Sequence, residues 1–76
     1  MNEYSKYVYT EELKKAREKK GLSGNDMARL LGFRSKVSYY NIENGTTEPK
    51  ISIINGISKI LGKAPQNFFD FKVQKN

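Results

Sequence analysis

The sequence predicts an all-α domain. Segments of helical length, with apolar residues at helical spacing, fill most of residues 11–69. Gly21, Gly32, Gly45 and Gly62 each follow such a segment, where a left-handed residue closes a helix. Serine, threonine or proline stands just ahead of each segment, as at N-caps and first turns.

The first helix is predicted over residues 11–20. Thr10 is the expected N-cap, and Glu11 and Glu12 suit the positive end of the helix dipole. Leu13 and Ala16 form its buried side, and Lys19 and Lys20 suit its C-terminal end. Lys14, Lys15, Arg17, Lys19 and Lys20 alternate with Glu11, Glu12 and Glu18, so this run reads as a solvated face. The second helix, over 24–31, opens on Ser23-Gly24-Asn25-Asp26, which has the form of a capping box. Met27, Ala28, Leu30 and Leu31 give its apolar face. The third spans 36–44, with Ser35 as N-cap. The fourth spans 51–61, after Pro49, with Ile51, Ile54, Ile57 and Leu61 on one face. Gly56 inside it weakens it by about 1 kcal/mol relative to alanine. A last helical turn runs from Pro65 to Phe69.

The chain ends have a different pattern. Tyr7-Val8-Tyr9 is short, aromatic and β-branched, and Phe69, Phe71 and Val73 alternate with Asp70 and Lys72. The two segments are expected to pair as a short antiparallel β-ribbon, within one chain or across a dimer. The alternative is two frayed tails. The expected organisation is an N-terminal extension over 1–10, a helical domain over 11–69 and a C-terminal extension over 70–76.

Composition bounds the function. A chain of 76 residues forms one domain with a modest core. It contains neither cysteine nor histidine, so disulfides, thiolate ligands, the commonest general base and the commonest metal ligand are all missing. No pair of its 8 carboxylates has a spacing suited to acid/base work, and no glycine-rich phosphate loop is present. Ser23 and Ser35 read as caps, not nucleophiles. No enzyme, cofactor, metal ion or small-molecule effector is expected. Apolar runs such as Ile53-Ile54 are too short for a membrane span or a signal peptide, so a cytoplasmic protein is expected. The first helix is basic, but its apolar side is needed for the core, which argues against membrane binding. The excess of 14 basic over 8 acidic residues suits an anionic partner, although solubility alone would also explain it.

The most informative stretch is Leu22 to Pro49, LSGNDMARLLGFRSKVSYYNIENGTTEP. Two short helices flank a tight turn at Gly32, the layout in which a second helix enters the DNA major groove. In that helix Lys36, Val37, Tyr40, Asn41 and Asn44 form one outward stripe, while Tyr39 and Ile42 face the core. A purely solvated face rarely carries valine and tyrosine together. Lys36 can donate to guanine or to a phosphate, Asn41 can pair bidentately with adenine, and Val37 can meet a thymine methyl. Tyr40 can reach a phosphate or pack on a sugar. Candidate phosphate contacts are Ser23, Gly24 and Asn25 at the second helix's N-terminus, with Arg34, Asn44, Thr46, Thr47 and Lys50. Glu48 suits that work poorly and is expected to point away.

On Leu22-Ser23, Ala28, Leu31-Gly32, Ser35, Ile42-Glu43-Asn44-Gly45, Pro49 and Leu61-Gly62, the chain resembles the Xre family of phage Cro and repressor-like proteins. The resemblance covers about residues 11–69. It implies a compact five-helix bundle that binds operator DNA, commonly as a symmetric dimer, with the loop after Asn44 running along the DNA backbone. It also implies a partly buried ion pair between Arg17 and Glu43. The chain departs from the family in three places. The interval from Gly32 to Ile42 is longer by one residue, placed at Phe33-Arg34. Gly24 stands where many members carry glutamine, and Gly56 interrupts the fourth helix.

The expected function is therefore a regulator, most simply a repressor, of double-stranded operator DNA, acting as a homodimer. Two half-sites about 34 Å apart would supply tight binding that one small domain cannot. Tyr7, Tyr9, Phe68, Phe69 and Phe71 are the expected dimer interface. The alternative is a protein-interaction module, an antitoxin or the partner of a larger regulator, using the aromatic ends Tyr4, Tyr7, Tyr9, Phe68, Phe69 and Phe71.

Overall fold

The computed structural model describes residues 8–70. Within them lie four α-helices: α1 (Thr10–Lys19), α2 (Gly24–Leu31), α3 (Lys36–Glu43) and α4 (Ile51–Leu61). A 3-10 turn over Pro65–Asn67 stands where a fifth helix was expected. The described fold is thus all-helical, with four α-helices in place of five.

The local signals explain most of the boundaries. At α2, the Ser23 hydroxyl accepts the Asp26 N–H at 3.0 Å and the Asp26 carboxylate accepts the Ser23 N–H at 2.9 Å. The helix closes on Gly32, whose φ of 81° is the left-handed conformation that other residues adopt only with strain. Ser23→Ala is expected to lower the unfolding free energy by about 1 kcal/mol, measured by urea titration. The Ser23 backbone N–H, and then its hydroxyl, hold the Asp26 carboxyl below the usual carboxylate range. A depressed folded-state pKa stabilises above the unfolded value, about 3.9, and the benefit is lost as pH falls through the folded value. The stability difference between native protein and Asp26→Asn is therefore constant near neutrality and shrinks in acid.

At α1 the N-cap is Tyr9, not Thr10, and no side chain caps the helix. The Tyr9 N–H donates to the Phe68 carbonyl at 2.7 Å, and the Leu13 N–H bonds to the Tyr9 carbonyl at 3.0 Å. Backbone pairing with the C-terminal segment fixes Tyr9, so the helix starts one residue early. Ser35 occupies the N-cap of α3 in extended conformation but makes no side-chain cap bond.

The core is built by Leu13 of α1, Met27 of α2, Tyr39 of α3, Ile57 of α4 and Phe68 beyond the 3-10 turn, all fully buried. Leu30 is 57% exposed, contrary to its place in the predicted apolar face. At about 100° per residue it falls off the edge of the stripe formed by Met27, Leu31 and Ala28. Ile51, in the first turn of α4, is also exposed, and Ile53 packs in its place. A Cβ on Gly56 would lie 2.9 Å from the Leu31 Cδ2, so the end of the Leu31 side chain packs against this glycine.

No β-ribbon forms among the described residues. The ends meet in a single antiparallel bridge, Val8 to Phe69. Phe68 and Phe69 both turn inward and their rings meet edge to face at 6.5 Å. Two consecutive inward side chains break the strand period at its start. Tyr7, Phe71, Lys72 and Val73 lie outside the described residues. Among the described residues, no helix is long and apolar enough to cross a membrane.

Candidate nucleic-acid interface

A buried polar cluster sets the angle between α1, α2 and α3. Arg17 donates from Nε to Glu43 Oε1 at 2.8 Å and from Nη2 to Glu43 Oε2 at 3.1 Å. Its Nη1 donates to the Leu22 carbonyl at 2.9 Å, on the loop that leads into α2. The Tyr39 hydroxyl donates to Glu43 Oε1 at 2.8 Å. Arg17 and Glu43 are only 6% and 4% exposed, and no buried side-chain polar atom among the described residues lacks a partner. The Glu43 hydrogen bond raises the Arg17 pKa still further above its ordinary value. Burial, then the bond to Glu43, pushes the Tyr39 phenol up, so it stays a neutral donor. The cluster is a structural joint, built so that each polar atom is satisfied.

The third helix presents a different outward stripe from the one expected. Lys36 and Val37 are exposed, Asn41 is half-buried, and Tyr39 and Ile42 are in the core. Tyr40 does not belong to the stripe. Its hydroxyl accepts the Gly24 N–H at 3.2 Å, its ring meets Tyr39 edge to face at 5.8 Å, and the Arg17 guanidinium lies 5.6 Å from its centroid. Tyr40 is thus held against α1 and α2 by packing contacts, which the outward stripe did not foresee. The outward face then runs through Lys36, Val37, Ser38 and Asn41. Ser38 escaped sequence reasoning because its candidacy depends on Tyr40 turning inward.

The N-terminus of α2 also differs from expectation. Gly24 is buried and its amide serves Tyr40, while the Ser23 amide serves Asp26. The Asp26 carboxylate already compensates the dipole there. The Ser23 and Gly24 amides are therefore already engaged within the chain and not free for a phosphate, contrary to expectation. Asn25 remains exposed.

The other predicted phosphate residues gather on two flanks of α3. On one side Asn25, Arg34 and Ser35 line a depression of about 180 Å³. On the other, Ser38, Asn41, Thr47, Glu48 and Lys50 line a cleft of about 430 Å³ between α3 and the start of α4. The Asn41 carbonyl accepts the Thr46 and Thr47 N–H groups at 2.8 and 3.1 Å, which fixes this loop beside the helix. Asn44, just past α3, is exposed and shares a smaller depression with Lys14. Glu48 also lines the Asn41 cleft. Ser35 escaped sequence reasoning because it was assigned to capping, a bond its side chain does not make. The arrangement is a protruding helix face with hydrogen-bonding and apolar groups at its centre and cations on both sides.

The expected dimer surface is altered. Phe68 and Phe69 are 1% and 2% exposed, so they belong to the core and cannot line a partner interface. Tyr9 is exposed, and Tyr7 and Phe71 lie outside the described residues.

Comparison with known proteins agrees with this geometry. A family model described as helix-turn-helix matches residues 13–68. Among solved structures, the restriction-modification controller protein C.AhdI from Aeromonas hydrophila superposes with a TM-score of 0.66. The match covers 76% of this chain and 83% of that one at 24% identity, a likeness of fold. No curated protein matches the sequence. With its capped α2, its turn at Gly32 and its protruding α3, the chain belongs to the helix-turn-helix family, as a DNA-binding transcription regulator of the Xre (Cro/C1-like) type.

Proposed function

We propose that this regulator is a cytoplasmic repressor that binds a palindromic operator as a homodimer and reads the major groove with α3. The reading is carried by one observation: Lys36, Val37, Ser38 and Asn41 project between two flanks that hold Arg34 and Lys50. A helix of this width fits the major groove. Asn41 pairs with adenine N6 and N7, Lys36 donates to guanine, and Val37 packs on a thymine methyl. Asn25, Arg34, Asn44, Thr46, Thr47 and Lys50 contact phosphates and fix the register. The protein-interaction alternative is weakened, because two of the aromatic residues it relied on lie in the core.

The test is selection of bound duplexes from a random DNA pool, followed by binding against salt. A palindromic motif is expected, with half-sites about one helical turn apart. If each dimer neutralises about six phosphates, log K falls with log [salt] at a slope of about −5. Binding that is shallow in salt and blind to sequence contradicts the proposal.

Glu48 supplies a further prediction. Glu48 lines the same cleft as Asn41 and Lys50, so its negative charge stands beside the proposed phosphate contacts and repels the DNA backbone. Glu48→Gln is expected to tighten binding to any duplex by about threefold at low salt, with the gain fading as salt rises. Fluorescence anisotropy on operator and random duplexes checks this.

A further inference from the structure

We propose that Tyr40 and Gly24 act as one positioning device, in which the tyrosine ring fills the space of the missing residue-24 side chain and sets the angle at which α3 meets DNA. The inference rests on the reading that α3 carries the base contacts. A Cβ built on Gly24 would lie 2.2 Å from Tyr40 Cζ, 2.4 Å from Cε2 and 2.5 Å from the hydroxyl oxygen. No methyl group fits there. The obstacle is the outer edge and hydroxyl of an aromatic ring. Three contacts hold the ring: Arg17 over its face, Tyr39 at its edge, and the Gly24 amide on its hydroxyl. Arg17 is itself fixed by Glu43 and by the Leu22 carbonyl. These contacts resist a swing of the ring, so a side chain at position 24 presses through it on α3 across the interface with α2.

That displacement reaches the base contacts directly. Tyr40 immediately precedes Asn41 and lies one turn beyond Lys36 and Val37 on the same short helix. A rigid helix of 8 residues transmits a shift at Tyr40 to all three. Tyr40 touches no base in this arrangement. It is a positioning residue that acts through Asn41, Lys36 and Val37.

The experiment measures the preference for the selected operator over a random duplex by competition, with thermal unfolding alongside. The preference is a ratio, so a loss of folded protein cancels from it, and a purely stabilising role leaves it unchanged. Gly24→Ala and Tyr40→Leu are each expected to lower the preference by about tenfold, within the range of coupling seen between touching residues. The double variant is expected to be no worse than Tyr40→Leu alone, because the clash disappears with the ring. If Gly24→Ala does not fold, Tyr40→Phe replaces it. That variant keeps the ring and removes only the hydroxyl, and about a threefold loss of preference is expected. Losses that multiply in the double variant, or a preference unchanged in Gly24→Ala or in Tyr40→Phe, overturn the inference alone. A native protein with no sequence preference overturns the reading of α3 and this inference together.

Discussion

Glu43→Ala is expected to cost about 3–5 kcal/mol, because it leaves the Arg17 cation buried without its counter-ion. Glu43 accepts two bonds from Arg17 and one from Tyr39, at 2.8–3.1 Å, so three donors lose their partner together. Whole domains are stable by only about 5–15 kcal/mol, and small ones sit at the low end. The variant should therefore be largely unfolded at 37 °C (circular dichroism against temperature reads this directly). Replacing both charges as Arg17→Met with Glu43→Leu should recover most of the loss. What remains is about 1–3 kcal/mol for the Tyr39 hydroxyl left without an acceptor and the Leu22 carbonyl left without the Arg17 donor. A Glu43→Ala protein as stable as the native one would mean that the joint between α1 and α3 is held by apolar packing alone.

Asn41→Ala carries the second large effect, on recognition and not on folding. Its backbone carbonyl holds the Thr46 and Thr47 amides, and those bonds survive the substitution. Its side chain is half-buried on the cleft and contributes nothing to the core. The melting temperature should stay within a few degrees of native. Discrimination at one base pair in each half-site should fall by about 1–3 kcal/mol, or about 5- to 150-fold. Binding to random duplexes should change little, since phosphate contacts supply that term. Competition by operators with single base-pair changes measures both. Equal weakening on all sequences would assign Asn41 to phosphate contact instead.

Local features were legible in the sequence because local chemistry determines them. The capping box at Ser23 and Asp26 and the left-handed Gly32 need only neighbouring residues. The inward faces of Tyr39 and Ile42 follow from helical spacing. The Arg17–Glu43 pair joins residues 26 apart, and only family resemblance pointed to it. The role of Tyr40 was not legible. Helical spacing places it beside Asn41 on the outward stripe, and only the absence of a Cβ at Gly24, across the interface with α2, lets it turn in. Phe68 and Phe69 misled for a related reason. Aromatic residues near a chain end read as surface until the 3-10 turn at Pro65–Asn67 folds them under α1.

If α3 reads base edges in the major groove, methyl groups placed there must block binding. Methylation interference on the selected operator tests it most directly. Methyl groups on guanine N7 lie in the major groove, and those on adenine N3 lie in the minor groove. The expected result is interference at guanine N7 within both half-sites, spaced by about one helical turn, with adenine N3 methylation tolerated. Interference confined to adenine N3, or absent altogether, would contradict the claim.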